Sequence, residues 1–168
     1  MAQIEQLPDL AAIRPFLPLL GHAEFTLYDG NKPEHSRWLI TKIDRLFYCG
    51  AQFFGAVGEQ GEPIGIISVL IEPRPADLCG GWQSAEITQL AVAPERQKQG
   101  IGSQLLLQLE AALRGQQVYC VYLSTYPADF DVIAFYGKNG FMPTGIVPDV
   151  YGPGLEGKLY LRKVLANQ

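Results

Sequence analysis

Two glycines one residue apart, Gly100 and Gly102, fall in the stretch Ala91-Val92-Ala93-Pro94-Glu95-Arg96-Gln97-Lys98-Gln99-Gly100-Ile101-Gly102-Ser103-Gln104-Leu105, which reads as a strand, a tight turn and a helix start. The first amides of a helix have no intrahelical acceptor and carry the positive end of the macrodipole. This order of elements can therefore hold a diphosphate through backbone hydrogen bonds. Glycine costs a helix about 1 kcal/mol relative to alanine. Two glycines in the first turn of a strongly amphipathic helix thus ask for a reason, either close approach of a ligand or relief of crowding against a sheet. The spacing is wrong for dinucleotide binding, because Gly-x-Gly-x-x-Gly would need a third glycine where Leu105 stands.

The run Gln97-Lys98-Gln99-Gly100-Ile101-Gly102 resembles the signature of the GNAT N-acetyltransferase superfamily, which is Gln or Arg, two residues, Gly, one residue, then Gly or Ala. The resemblance extends from about Ala85 to Phe141. It implies an α/β fold with a mixed, mostly antiparallel central sheet, flanking helices and two central strands that splay to admit pantetheine. It also implies acetyl-CoA as co-substrate, with no metal. The backbone of Leu90, Ala91 and Val92 would pair with the pantetheine amides, and amides of Gln97, Lys98, Gln99, Gly100, Ile101, Gly102 and Ser103 would hold the pyrophosphate. The side chains of Leu90 and Val92 remain ordinary strand residues on either reading.

Acetyl transfer to an amine needs a neutral nucleophile, yet a lysine-type amine with a pKa of about 10.4 is almost fully protonated at neutral pH. Glu86 is the candidate base: it precedes Gln97 on the strand leading to the cradle, where histone-type members of the family carry a general base. A positioned base contributes ~10²–10⁴-fold. The competing role for Glu86 is the solvent-facing member of an alternating strand. Phe135-Tyr136-Gly137-Lys138-Asn139-Gly140-Phe141 resembles the family's Phe-Tyr, three residues, Gly-Phe signature, whose tyrosine points toward the CoA sulfur. Tyr136 is accordingly the candidate acid for the departing thiolate, against a purely structural place over the core. Phe135 and Asp129 join the cofactor-binding set on the same resemblance. The family often has asparagine in the register of Asp129, and aspartate also suits a helix N-cap.

The elements that must position these residues follow from the pattern. An extended start at Ala2–Gln6 leads to a helical segment, Leu10–Leu20, that Pro15 and Pro18 should interrupt. A turn-rich stretch is expected from Gly21 to Pro33, then a helix from Pro33 to Phe47. Ala51–Gly58 and Ile64–Ile71 predict an antiparallel hairpin, and Ser84–Val92 a strand stopped by Pro94. Gly100–Arg114 is the best-defined helix, with Gly115 placed as a C-terminal cap. Val118–Ser124 predicts a strand, Asp129–Lys138 a helix ending near Gly140, and Phe141–Thr144 and Lys158–Val164 the last strands. Alternating strands and helices with an early hairpin predict an α/β sheet of mixed direction.

Composition narrows the function classes. The 168 residues are 48% hydrophobic, which suits one domain over 1–168 with a real core. A formal charge of −4 with scattered basic residues provides no stripe for a nucleic-acid backbone, so nucleic acid is not an expected partner. Three cysteines without paired spacing support neither a disulfide framework nor zinc. No window reaches the ~18 apolar residues of a membrane span, and the start lacks a secretory pattern, so a cytoplasmic protein is expected.

Gly152-Pro153-Gly154-Leu155-Glu156-Gly157-Lys158 has P-loop spacing, but Leu159 follows where magnesium binding needs Ser or Thr, so it predicts a loop. His22 and His35 accompany no nucleophile or metal spacing and are expected on the surface or in loops. Cys120 is expected as a small buried apolar group. The acceptor, a small-molecule or peptide amine, should be recognised by the loops Gly21–Pro33 and Ile146–Glu156 through Glu24, Tyr28, Asp149 and Tyr151. The alternatives are a non-catalytic acyl-CoA-binding module on the same fold, or a transferase for a longer acyl group or a protein amine. A homodimer is compatible with the sequence.

Overall fold

The computed structural model describes residues 2–24, 32–73 and 83–165. The chain divides into two compact units, Met1–Ile71 with Ile87–Ala112, and Glu72–Glu86 with Leu113–Gln168.

The first unit opens with β1 (Gln3–Leu7), paired antiparallel with β2 (Gln52–Val57), which pairs antiparallel with β3 (Pro63–Ile71). Beside β3 run the last six residues of β4 (Gln83–Val92): the Ser68 and Thr88 hydroxyls share a 2.7 Å hydrogen bond, and Ala93 N–H donates to the Ile64 carbonyl at 3.0 Å. As expected, prolines break the first helical segment into α1 (Leu10–Ile13), a 3-10 turn (Arg14–Phe16) and α2 (Leu17–Glu24). Asp9 caps α1, its Oδ1 accepting the Ala12 amide at 2.9 Å, which satisfies an otherwise orphaned donor. Ile13, Phe16 and Leu20 of this segment join Leu39 and Ile43 of α3 (Pro33–Tyr48) and Phe53 and Ile66 of the strands in one buried cluster. Gly55 makes room for Phe16, since a Cβ there would lie 2.4 Å from the ring.

In the second unit the first four residues of β4 pair in parallel with β5 (Val118–Thr125), from Gln83↔Val118 to Glu86↔Tyr122. β7 (Lys158–Val164) pairs antiparallel with β5 and, on its other side, with β6 (Met142–Val147). With β4 common to both units the strand order is β1-β2-β3-β4-β5-β7-β6, a seven-stranded mixed sheet with one parallel pair among the recorded registers. The register with β5 ends at Glu86 while β4 itself continues to Val92. Two further helices are α4 (Ile101–Gly115), with Ile101, Leu105, Leu106, Leu109 and Leu113 buried, and α5 (Phe130–Lys138). No helix among the described residues is long and apolar enough to cross a membrane.

Several local expectations are corrected. Gly21–Glu24 continue α2 rather than opening a turn, and residues 25–31, with Tyr28, lie outside the described residues. Gly115 is still helical. The left-handed residue that ends α4 is Gln117 at φ 60°, and its N–H bonds the Arg114 carbonyl. The penultimate strand starts one residue later than expected and runs to Val147, while Phe141 is buried ahead of it. His22 is exposed, as expected, and His35 is half-buried; both belong to helices. Cys120 is buried, as expected.

Candidate functional site

The turn between β4 and α4 belongs to the first unit and is built by backbone rather than by side-chain charge. Pro94 opens a short 3-10 turn (Pro94–Arg96), and Lys98 and Gly100 then adopt positive φ of 59° and 85°. A Cβ at Gly100 would meet nothing within 4 Å, so the glycine is required by its backbone angle and not by crowding. The side chain of Gln97 reaches back to the Val92 carbonyl at 3.3 Å, and that of Gln99 to the Glu95 carbonyl at 3.1 Å. Both amide side chains thus hold the shape of the loop. Arg96 pairs with Glu62 at 3.2 Å, an exposed ion pair worth little by itself.

The first main-chain bond of α4 is Gln104 N–H to the Gly100 carbonyl. Among the described residues, no hydrogen bond within the protein engages the amides of Lys98, Gln99, Gly100, Ile101, Gly102 and Ser103. Six consecutive N–H groups thus stand unengaged ahead of and within the first turn of a 15-residue helix, where backbone donors and the positive end of the helix dipole favour negative charge. Upstream, Leu90 and Val92 lie on the half-buried face of β4 and Ala91 on its buried face.

The second unit holds the remaining candidates. Glu86 is half-buried on β4, and burial pushes its carboxyl above the usual range; Glu72 adds to the rise and Lys158 opposes it. Tyr122, its register partner on β5, donates to Glu72 Oε1 at 2.5 Å. Ser84, on the same face of β4 as Glu86, donates to Glu72 Oε2. Burial and the Glu72 hydrogen bond push the Tyr122 hydroxyl well above its ordinary value. Sequence reasoning missed Glu72 and Ser84, and named Tyr122 for none of these roles. Glu72 lies just before Pro73 at the end of a predicted strand, and no motif marks it.

Tyr136 is buried on α5, with Phe135 and Phe141 packed edge-on at ring-centroid distances of 5.0 and 5.2 Å. Burial raises its hydroxyl well above the normal range, so it remains protonated. Among the described residues that hydroxyl has no hydrogen-bond partner. Its ring partners differ from the groups around Glu86. Asp129 stands at the N-cap position of α5, but its carboxylate caps nothing: Oδ2 accepts from Thr125 at 3.1 Å. With φ −80° and ψ 64°, Asp129 departs from the extended backbone of a typical capping residue.

In the expected acceptor loop, Asp149 braces its own turn by accepting from the Gly154 amide at 2.9 Å. Tyr151 lies 3.5 Å from the Tyr126 hydroxyl, with the Lys158 ammonium over its ring. Among the described residues no group of three or more His, Cys, Asp or Glu side chains is arranged to hold a metal ion.

Comparison with known proteins matches residues 19–141 to a family model described as "Acetyltransferase (GNAT) family". A tRNA(Met) cytidine acetyltransferase, TmcA 2, of Saccharolobus solfataricus is 41% identical over 68 residues; the match covers 40% of this chain and only 8% of that protein. The ribosomal-protein-S18-alanine N-acetyltransferase of Escherichia coli superposes with a TM-score of 0.75 at 17% identity, covering 100% of this chain and 96% of that one. An aminoglycoside 6'-N-acetyltransferase complexed with coenzyme A gives 0.72 at 18% identity, covering 99% and 98%. At these identities the two structural likenesses establish the fold.

Proposed function

The chain belongs to the GNAT acetyltransferase family, and from that premise we propose that it transfers acetyl from acetyl-CoA to a primary amine by direct attack in a ternary complex. The observation that carries this reading is the run of unengaged amides from Lys98 to Ser103, held in shape by positive φ at Lys98 and Gly100. Those groups would grip the coenzyme's diphosphate, with the backbone of Leu90 and Val92 available to pantetheine. The structural likeness to a transferase crystallised with coenzyme A supports that assignment.

In the reaction the amine nitrogen bonds to the thioester carbon as the carbon–sulfur bond breaks. Glu86 accepts the proton that the ammonium must lose, directly or through an ordered water. Its raised carboxyl pKa brings it closer to the amine's and makes it a better base than an exposed glutamate. Tyr136, which burial keeps protonated, supplies a proton to the leaving sulfur, and among the described residues its hydroxyl has no other hydrogen-bond partner. The named activities of the relatives, on an aminoglycoside, a ribosomal protein and a tRNA, cover amine acceptors of very different size. The acceptor proposed for this chain is a primary amine of a small molecule or peptide.

The test is a thermal-shift titration with CoA and acetyl-CoA, followed by thiol release with pooled primary amines. Ligand at 100 times its dissociation constant should add about 2.7 kcal/mol. A melting curve unmoved by saturating coenzyme would remove the reading.

A further inference from the structure

Glu72 is anchored by main-chain bonds independent of its carboxylate: its N–H donates to the Ser84 carbonyl at 2.9 Å, and its carbonyl accepts from the Gln83 side chain at 3.0 Å. Its two carboxylate oxygens are each engaged by a hydroxyl, Tyr122 on one and Ser84 on the other. A carboxylate only accepts, and each hydroxyl has one hydrogen to give. Both hydrogens are therefore committed to Glu72, and the Tyr122 and Ser84 oxygens keep only lone pairs for anything else. Ser84 precedes Glu86 by two residues on the same face of β4, and Tyr122 is the register partner of Glu86. Ser84 Oγ, Tyr122 Oη and the Glu86 carboxylate thus lie on one face of the β4–β5 pair as acceptors.

Resting on the transferase reading above, we propose that Glu72 is a positioning residue that fixes these hydroxyl hydrogens, so that the acceptor subsite is matched to the three N–H donors of a primary alkylammonium. A secondary ammonium brings two donors and an alcohol one, and each leaves one of these acceptors unmet. Among the described residues, the other charged and titratable groups acting on Glu86 and Tyr122 are Lys158 and Tyr160 of β7. Lys158 opposes a second cation, so selection rests on hydrogen-bond matching rather than on net charge.

Glu72→Gln tests this, because an amide presents N–H on one side and forces one hydroxyl to turn its hydrogen toward the substrate. The readout is kcat/KM for a primary amine against its N-methyl counterpart, with KM and kcat separated. The preference for the primary amine should fall about tenfold, carried by KM. Removal of the Glu72 charge should also move the acid limb of the pH profile to lower pH, since Glu72 raises the Glu86 carboxyl. Should Glu72→Gln fail to fold, Tyr122→Phe removes one acceptor and should narrow the same ratio. An unchanged ratio, or a loss confined to kcat, overturns the proposal in either variant. Wild-type protein that releases no thiol with any primary amine overturns the transferase reading and this proposal with it.

Discussion

The carboxylate of Glu72, one residue past the end of β3, accepts the hydroxyl hydrogen of Tyr122, 50 residues further along the chain on β5. Burial and that bond together keep Tyr122 protonated. With its one hydrogen given to Glu72, Tyr122 presents only lone pairs to anything else beside Glu86.

Replacing Glu86 by glutamine should lower kcat by ~10²-fold or more, with little change in acetyl-CoA affinity. The loss should be greatest on the acid side of the amine's own pKa and vanish above it, where the nucleophile is already neutral. The sign for stability is the reverse of the usual carboxylate case. A raised folded-state pKa contributes stability that is complete below the unfolded value and is lost as pH rises through the folded one. Melting temperatures of Glu86→Gln relative to wild type should therefore improve from pH 4 to pH 8. A pH-independent difference, or equal turnover at every pH, would exclude Glu86 as the base.

Tyr136→Phe removes a buried hydroxyl that has no hydrogen-bond partner among the described residues, so the fold should lose nothing and the melting midpoint should hold or rise. Turnover should fall about tenfold to a hundredfold while the coenzyme-induced shift persists. Calorimetry and thiol release on the same sample separate the two effects. Full activity in the variant would return Tyr136 to a structural role.

Gly100→Ala should weaken coenzyme binding without touching any neighbouring side chain, because a Cβ there meets only open space. The left-handed backbone at φ 85° costs a residue with Cβ roughly 1–2 kcal/mol, which the loop escapes by relaxing out of its amide-presenting shape. A reduced thermal shift with acetyl-CoA is the expected result. An undiminished shift would mean that the coenzyme does not depend on this turn.

Gly55→Ala should do the opposite, lowering stability while leaving the coenzyme response intact. The added methyl would stand 2.4 Å from the buried Phe16 ring, and crowding of a tight core costs about 1–3 kcal/mol. Thermal melts with and without CoA check both halves of the statement.

Repeating local patterns made much of this molecule legible in one dimension. The amphipathic period of α4, the hairpin of β2 and β3, and the spacing of Gln97, Gly100 and Gly102 are carried by near neighbours in the chain, so sequence alone determined the fold class and located the turn that opens α4. Where backbone geometry competes with composition the reading failed: Gln117 rather than Gly115 ends α4, and Asp129 turns its carboxylate to Thr125 instead of capping α5. The arrangement of acceptors was decided by tertiary structure alone. Glu72, Ser84, Glu86 and Tyr122 come from three strands or their ends, and only the pairing of those strands brings a carboxylate to two hydroxyls. Hydrogen-bond direction is a property of atoms within about 3 Å of one another, and no spacing along a chain encodes it.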